Sequence, residues 1–499
     1  YTQINLSLLK SFSEQQAAKT LDMIVHKCYI NIFKWREERD VVYETCKMLE
    51  SFIKHSSIRP HLFKSESYNK YILSKYYSNA LDLYSLPNEL IPILIQIILQ
   101  SVIGAPGENV NIRLSAFNKI CLPIYEEFKV QCAPFVDHSK SFHTSEQFNR
   151  LQLSICKLHG ISKTSTDFTF DFMLKNGIFA ILIEIIPRFS NHFDHDIVLT
   201  IFYIFADIAE RSLYDLDKTQ SKIFLKLCVK LIEQFEQHNL IRLKQINSDY
   251  IAAKTREKYE EMQIAEIMVI LKLLEFMSTK DLIDINLSTQ SGESEELTEL
   301  LCGQCIFKSF YYLTPNITKT LLQYETLGNR FYEVLSICIR GFTSTFALKL
   351  NNEQRNTILG DKVLKSLSSA QSQIMEYGLE IVECFAEYHI NEASFHSPFL
   401  PYLQDSIHQL FMLLIDIRTP KALYPKLCET LLPVLIAMGK DKILQYLSSF
   451  INNICQNGQQ QQQKLANKFT ELINKLNEVP TPPLDMRTRL KFRDYFISL

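Results

Sequence analysis

From residue 21 onward the chain is a succession of helix-forming, apolar-rich segments, each cut off by Pro, Asn, Gly or a short polar run. It almost never alternates apolar and polar residues as a half-buried strand must. The clearest segments run over 21–34, 40–54, 88–103, 170–188, 196–212, 219–238, 256–279, 328–347, 371–389, 403–417, 425–438 and 440–455. Glycine supports the same reading: 12 residues in 499, where roughly 7% is usual, leave little for a turn-rich β fold. The expected fold class is all-α. Helix pairs recurring at about 40–47 residues match HEAT or armadillo arrays, in which no pair buries its apolar face alone and each stacks on its neighbours. The expected architecture is therefore a HEAT-repeat α-solenoid, a superhelical stack of roughly 11 antiparallel helix pairs.

Charge excludes one broad class of partner. With 53 basic and 55 acidic residues the formal charge is −2, so there is no global basic footprint for neutralising phosphates, and no direct nucleic-acid partner is expected. The 12 cysteines lie mostly in apolar runs, as Cys228, Cys338 and Cys384 do, where a thiol acts as a small hydrophobe in a reducing compartment. The greasiest stretch, Leu90 to Ile103, contains Pro92, Gln96, Gln100 and Ser101 and is shorter than the roughly 20 residues of a membrane span. A buried helix is expected there. The chain opens at Tyr1 with no basic-then-apolar leader, so neither secretion nor a membrane partner is expected, and the chain reads as part of a longer one.

Motifs of chemistry are scarce. There is no phosphate-cradling glycine loop, no GxGxxG, no GxSxG and no HExxH. Cys302 and Cys305 form one C-x-x-C without the second pair that tetrahedral zinc requires. His192, Asp194, His195 and Asp196 form a compact HFDHD cluster with two readings. It holds metal ligands of the kind found in His-Asp phosphohydrolases, or a carboxylate capping the apolar helix that follows. The expectation is no enzyme, no catalytic residue, no cofactor and no metal.

Acid, by contrast, is placed with order. Within 371–389, Glu376, Glu380, Glu383 and Glu387 fall at i, i+4, i+7 and i+11, along one helix face with no Lys or Arg between them. Like charges at i,i+4 cost about 0.2–0.5 kcal/mol per pair, so this stripe needs a cation from elsewhere. In 196–211 the polar positions Thr200, Tyr203, Asp207 and Glu210 form a second stripe. In 256–279 Glu260, Glu261, Glu266 and Glu275 form a third, mixed with Lys258 and Lys272. Each stripe is either an ordinary solvated outer face or, if corresponding helices stack, part of an acidic inner surface that draws a basic partner.

Particular strings carry a resemblance. They are KTQSKIFLKLCVKLIEQFEQHN (Lys218 to Asn239), EEMQIAEIMVILKLLEFMSTKDLIDI (Glu260 to Ile285) and LTPNITKTLLQYETLGNRFYEVLSIC (Leu313 to Cys338). The fourth is the tail KLNEVPTPPLDMRTRLKFRDYF (Lys475 to Phe496). Together they resemble the C-terminal half of the exportin-4 branch of the karyopherin-β (importin-β) nuclear transport receptors, with Tyr324-Glu325 standing where that branch has Phe-Pro. The resemblance covers about 190–499.

The resemblance implies a receptor that wraps cargo with RanGTP in the nucleus, releases both in the cytoplasm and passes the pore on nucleoporin Phe-Gly repeats. The implied cargoes are the hypusine-bearing translation initiation factor five A and Smad-type transcription factors. The implied Ran grip lies mainly in N-terminal repeats that this chain lacks. Hypusine is a long polycationic side chain, so the cargo-binding residues expected are Glu376, Glu380, Glu383 and Glu387, then Asp207, Glu210 and Glu275.

The implied organisation is 1–190, helical repeats placed by continuity; 191–479, repeats covered by the resemblance; and 480–499, a capping helix led by Pro480, Pro482 and Pro483. Polar breaks at 284–296, 349–362, 389–401 and 456–464, the last with a glutamine run from Gln459 to Gln463, read as loops. A scaffold α-solenoid such as a nucleoporin would show the same helix pairs.

Overall fold

A computed structural model describes residues 14–55, 59–77, 81, 83–103, 109–136, 144–164, 168–189, 196–246, 253–287, 295–391, 397–416, 418–454, 467, 471, 474 and 490–493. Among these the chain is 87% helical and has no strand. The longer helices are α1 (Glu14–Lys34), α2 (Arg39–Lys54), α3 (Ile91–Ile103), α4 (Val110–Val136), α5 (Ser145–Ser162), α6 (Asp196–Arg211) and α7 (Lys218–Ile246). They continue with α8 (Ala253–Leu287), α9 (Glu295–Leu313), α10 (Glu325–Gly341), α11 (Ser372–Asn391), α12 (Leu400–Ile415), α13 (Tyr424–Met438) and α14 (Lys440–Ile454).

Local chemistry accounts for the boundaries. Thr144 caps α5 by accepting from the Gln147 N–H while the Gln147 side chain accepts from the Thr144 N–H, a reciprocal box that satisfies two orphan donors. The segment expected as one helix over 170–188 is two, Thr169–Lys175 and Ile178–Ile185, because Gly177 takes φ +67° between them. The segment 328–347 likewise divides at Phe342 into α10 and Thr343–Lys349. α4 keeps Pro123 and Pro134 inside one helix. α3 is the buried helix expected at 90–103, with eleven of its residues out of solvent, and no single described helix is long and apolar enough to cross a membrane.

Contacts divide the chain into two compact units: Tyr1–Ile223 with Gln237–Leu273, and Phe224–Glu236 with Leu274–Leu499. The boundary at 190/191 is one of sequence likeness and falls inside the first unit. Within that unit α5 packs on α3 and on α6, with α4 alongside. At the crossing of α3 and α5 a Cβ on Gly160 would lie 2.5 Å from Ile95 Cβ, so only glycine permits this approach. Phe117, Phe128, Phe135, Phe179, Phe202 and Phe205 fill the core.

Within the second unit α11 packs between α10 and α13, with α12 and Lys362–Leu367 on its flanks. Phe385 of α11 stacks on Phe399, the residue before α12, at 4.2 Å between ring centroids, a pairing worth about 0.5–1.5 kcal/mol beyond its buried area. Of the eleven described cysteines ten are buried and Cys384 is half-buried; none is in a disulfide. The expected terminal helix is described only at 490–493, which are helical, with Phe492 buried. The remainder of the tail and the glutamine run lie outside the described residues.

Candidate functional site

α11 buries Ile374, Met375, Gly378, Leu379, Ile381, Val382, Phe385 and Ala386 and so turns Glu376, Glu380, Glu383 and Glu387 to the other side, as the spacing requires. Gly378 permits close packing against Lys362–Leu367, since a Cβ there would meet Ser366 Oγ at 2.2 Å. The four carboxylates sit in different surroundings. Glu376 is exposed. Glu380, half-buried, accepts from Ser336 Oγ of α10 at 2.5 Å. Glu383, 15% exposed, pairs with Lys426 Nζ of α13 at 2.7 Å. Glu387 is half-buried beside Cys384, whose thiol is pushed up to about 12 by burial first and then by the charges of Glu387 and Glu383.

A cation that the stripe needs is thus supplied from within the chain, by Lys426 at Glu383. Burial works against the charge of Lys426, yet the hydrogen bond to Glu383 and the charges of Glu383, Glu380 and Glu429 hold its pKa above that of a free lysine. A neutral hydroxyl serves Glu380. Carboxylates still dominate this face: Tyr377 is raised by burial and then by Glu333, Glu380 and Glu376, against the single charge of Arg330.

The other three expected residues are each occupied at home. Asp207 is buried, its carboxylate 2.9 Å from His159 Nε2 of α5, and Tyr203 stacks on the imidazole at 5.6 Å. Burial pushes His159 below the ordinary histidine range, so a neutral imidazole donates Nε2–H to an ionised Asp207. Burial by itself would raise the Asp207 pKa, but the His159 bond and the charges of Lys163 and Arg211 hold it low.

Glu210 meets Lys272 of α8 at 2.9 Å. Glu275 is held by both Nη atoms of Arg330, whose Nη1 also reaches Glu333 at 2.9 Å. This is a fork-like guanidinium clamp. Burial opposes the Arg330 charge, while Glu275 and Glu333 raise its pKa. Asp207 and Glu210 belong to the first unit and the other five carboxylates to the second. Of the third stripe, Glu266 is fully buried.

Cys302 and Cys305 are both buried, and Cys302 Sγ donates to the Met277 carbonyl at 3.3 Å. Among the described residues no group of three or more His, Cys, Asp or Glu side chains is placed to hold a metal ion. Of the HFDHD cluster, His192, Asp194 and His195 lie outside the described residues, and Asp196 opens α6. A further site, around Arg355, has no motif that could have announced it. The sequence matches no protein-family model.

Proposed function

We propose that the chain is the C-terminal half of an exportin-4-type nuclear export receptor, shuttling between nucleus and cytoplasm, that binds a basic cargo with RanGTP through the carboxylates of α11. One observation carries the reading. α11 presents four carboxylates on one face, of which one meets a lysine, one a hydroxyl and one open solvent. That arrangement leaves negative charge for an incoming polycation such as hypusine. Asp207, Glu210 and Glu275 lie off this helix and are each engaged with an internal partner, so the proposed site centres on the stripe of Glu376, Glu380, Glu383 and Glu387, of which Glu376 is the exposed member.

A HEAT-type stack is supported by the order of packing within each unit. α3, α5 and α6 pack successively, beginning at 91, 145 and 196, and α10, α11 and α13 do so beginning at 325, 372 and 424. Alternate helices therefore share a layer at a spacing of roughly 50 residues, close to that of HEAT and armadillo repeats.

The test is capture of the hypusinated initiation factor, and of the same factor without hypusine, by this protein with RanGTP or RanGDP. It is repeated with Glu376, Glu380, Glu383 and Glu387 all changed to Gln. Hypusine- and RanGTP-dependent capture that the variant loses is the expected result. Capture that the variant retains would move the site off α11. No capture with either nucleotide would turn the reading toward a nucleoporin-like scaffold.

A further inference from the structure

Among the described residues Arg355 is the only lysine or arginine that is buried, with 8% of its surface exposed. It sits in the short helix Asn352–Ile358, which opens with a capping box between Asn351 and Gln354. Nη1 donates to the carbonyls of Ala347, at 2.9 Å, and Leu350, and Nη2 donates to Asn352 Oδ1 at 2.6 Å. Ala347 lies in the last turn of Thr343–Lys349, so part of this work is to satisfy carbonyls at a helix C-terminus. That role explains three donors of five. Among the described residues Nε–H and one Nη2–H take no protein acceptor. Among the described residues no carboxylate forms an ion pair with the guanidinium, and burial depresses its pKa. A buried guanidinium without a counter-ion is costly and invites an anion.

Space for one lies alongside. A cavity of about 420 Å³ is lined by Arg355, Asn356, Val363, Leu364, Pro401 and Tyr402, among others, toward the lower end of the volumes that hold small ligands. Its polar wall adds one open amide to the guanidinium. The Tyr402 hydroxyl donates to Asn356 Oδ1 at 2.7 Å, which fixes the amide, and among the described residues its NH2 takes no acceptor. Ser406 Oγ is turned to the Tyr402 carbonyl at 2.7 Å. Val363, Leu364, Pro401 and the Tyr402 ring make the rest of the wall apolar. The carboxylate in the lining is that of Asp405, at the exposed rim.

We propose that this cavity binds a carboxylate on a short apolar stem, as presented by the C-terminus of a peptide, with Arg355 and the Asn356 amide holding the carboxylate and Val363, Leu364 and Tyr402 the last side chain. Two free N–H groups on a planar guanidinium suit the two oxygens of a planar carboxylate. A phosphate dianion is less suited, because it would meet a single cation with Asp405 on the rim. In a peptide the N–H groups preceding the terminal residue are available to Asp405, which a free small acid cannot match. The inference is independent of the export reading, since it uses none of the α11 carboxylates.

The experiment uses the whole chain and three probes. The first is a pool of N-acetylated tripeptides ending in a free carboxylate, with the last two positions drawn from Leu, Val, Phe and Pro. The second is the same pool ending in an amide, and the third is N-acetyl-leucine. Saturation-transfer NMR followed by calorimetry is expected to show binding of the acid pool that weakens at least tenfold for the amide pool.

Because Arg355→Gln removes bonds to Ala347 and Leu350 and so perturbs folding, Asn356→Ala and Tyr402→Phe are the informative variants. Each is expected to weaken acid binding three- to tenfold with unchanged melting temperature. Equal binding of acid and amide, no binding of either pool at millimolar concentration, or full binding by both variants would overturn the proposal. N-acetyl-leucine binding as tightly as the tripeptides would overturn the peptide as the source of the carboxylate.

Discussion

Replacing Lys426 with Met removes the internal counter-cation of the α11 stripe. The pair it forms with Glu383 spans 2.7 Å, with side chains 25% and 15% exposed. Breaking a fully buried pair costs about 3–5 kcal/mol and an exposed one about 0–1, so this one should cost about 1–3 kcal/mol. For a unit of this size each kcal/mol lowers the melting temperature by roughly 2–4 °C. Helical circular dichroism through a urea or thermal transition measures it. Lys426→Met combined with Glu383→Gln, which removes both charges, should regain at least half the loss.

Binding should move the other way. Without Lys426 the stripe is one charge more negative, and a unit charge about 8 Å from a bound cation, at an effective dielectric between 20 and 80, is worth roughly 0.5–2 kcal/mol. A basic cargo on α11 would then bind roughly two- to thirtyfold tighter, most visibly at low salt. Loss of fold cannot imitate a gain of affinity. Stability within about 0.5 kcal/mol of the parent, or a double variant no more stable than the single, would refute the assignment of Lys426 as counter-ion.

Two further outcomes follow from buried polar groups. His159 has its pKa depressed by burial, so below the unfolded value near 6.5 the unfolded chain takes up a proton that the folded one refuses. Stability should fall as pH drops from about 6.5 toward 5, and His159→Gln should flatten that part of a melting-temperature profile. The charged groups acting on the imidazole are Asp207, whose own pKa is held low, and Lys163 and Arg211. In α3, Gln96 is fully buried with neither amide atom partnered among the described residues. Gln96→Met keeps the shape and removes the unmet polar atoms, so it should raise stability by about 1–2 kcal/mol in the same melting assay.

The all-α class, the buried helix at 90–103 and the direction of the α11 stripe were legible because they depend on periodicity within one element. α4 was not, since Pro123 and Pro134 read as stops while the packed helix runs through both. α5 could have been found: Thr144 and Gln147 spell its capping box.

The site was half legible for a different reason. Its carboxylates share a helix, but Lys426 lies 43 residues from Glu383, His159 48 from Asp207, Arg330 55 from Glu275 and Lys272 62 from Glu210. Charges joined only by folding leave no spacing to read. Arg355 was hidden in the same way, because its meaning depends on a cavity wall that Tyr402, 46 residues beyond Asn356, helps to build.

The burial of the cysteines turns sulfur into a timekeeper. Burial raises thiols such as Cys28, Cys46, Cys156, Cys338 and Cys428 to about 12, so each is ionised about a thousandfold less often than an ordinary cysteine. At these five positions an electrophile added to the native chain finds almost no nucleophile until a helix lifts away, and alkylation of each residue then records how often its surroundings open. Cys28, Cys46 and Cys156 keep that record for the first unit, and Cys338 and Cys428 for the second. A single cysteine introduced at an exposed position would take up a label about a thousand times faster than any of these five.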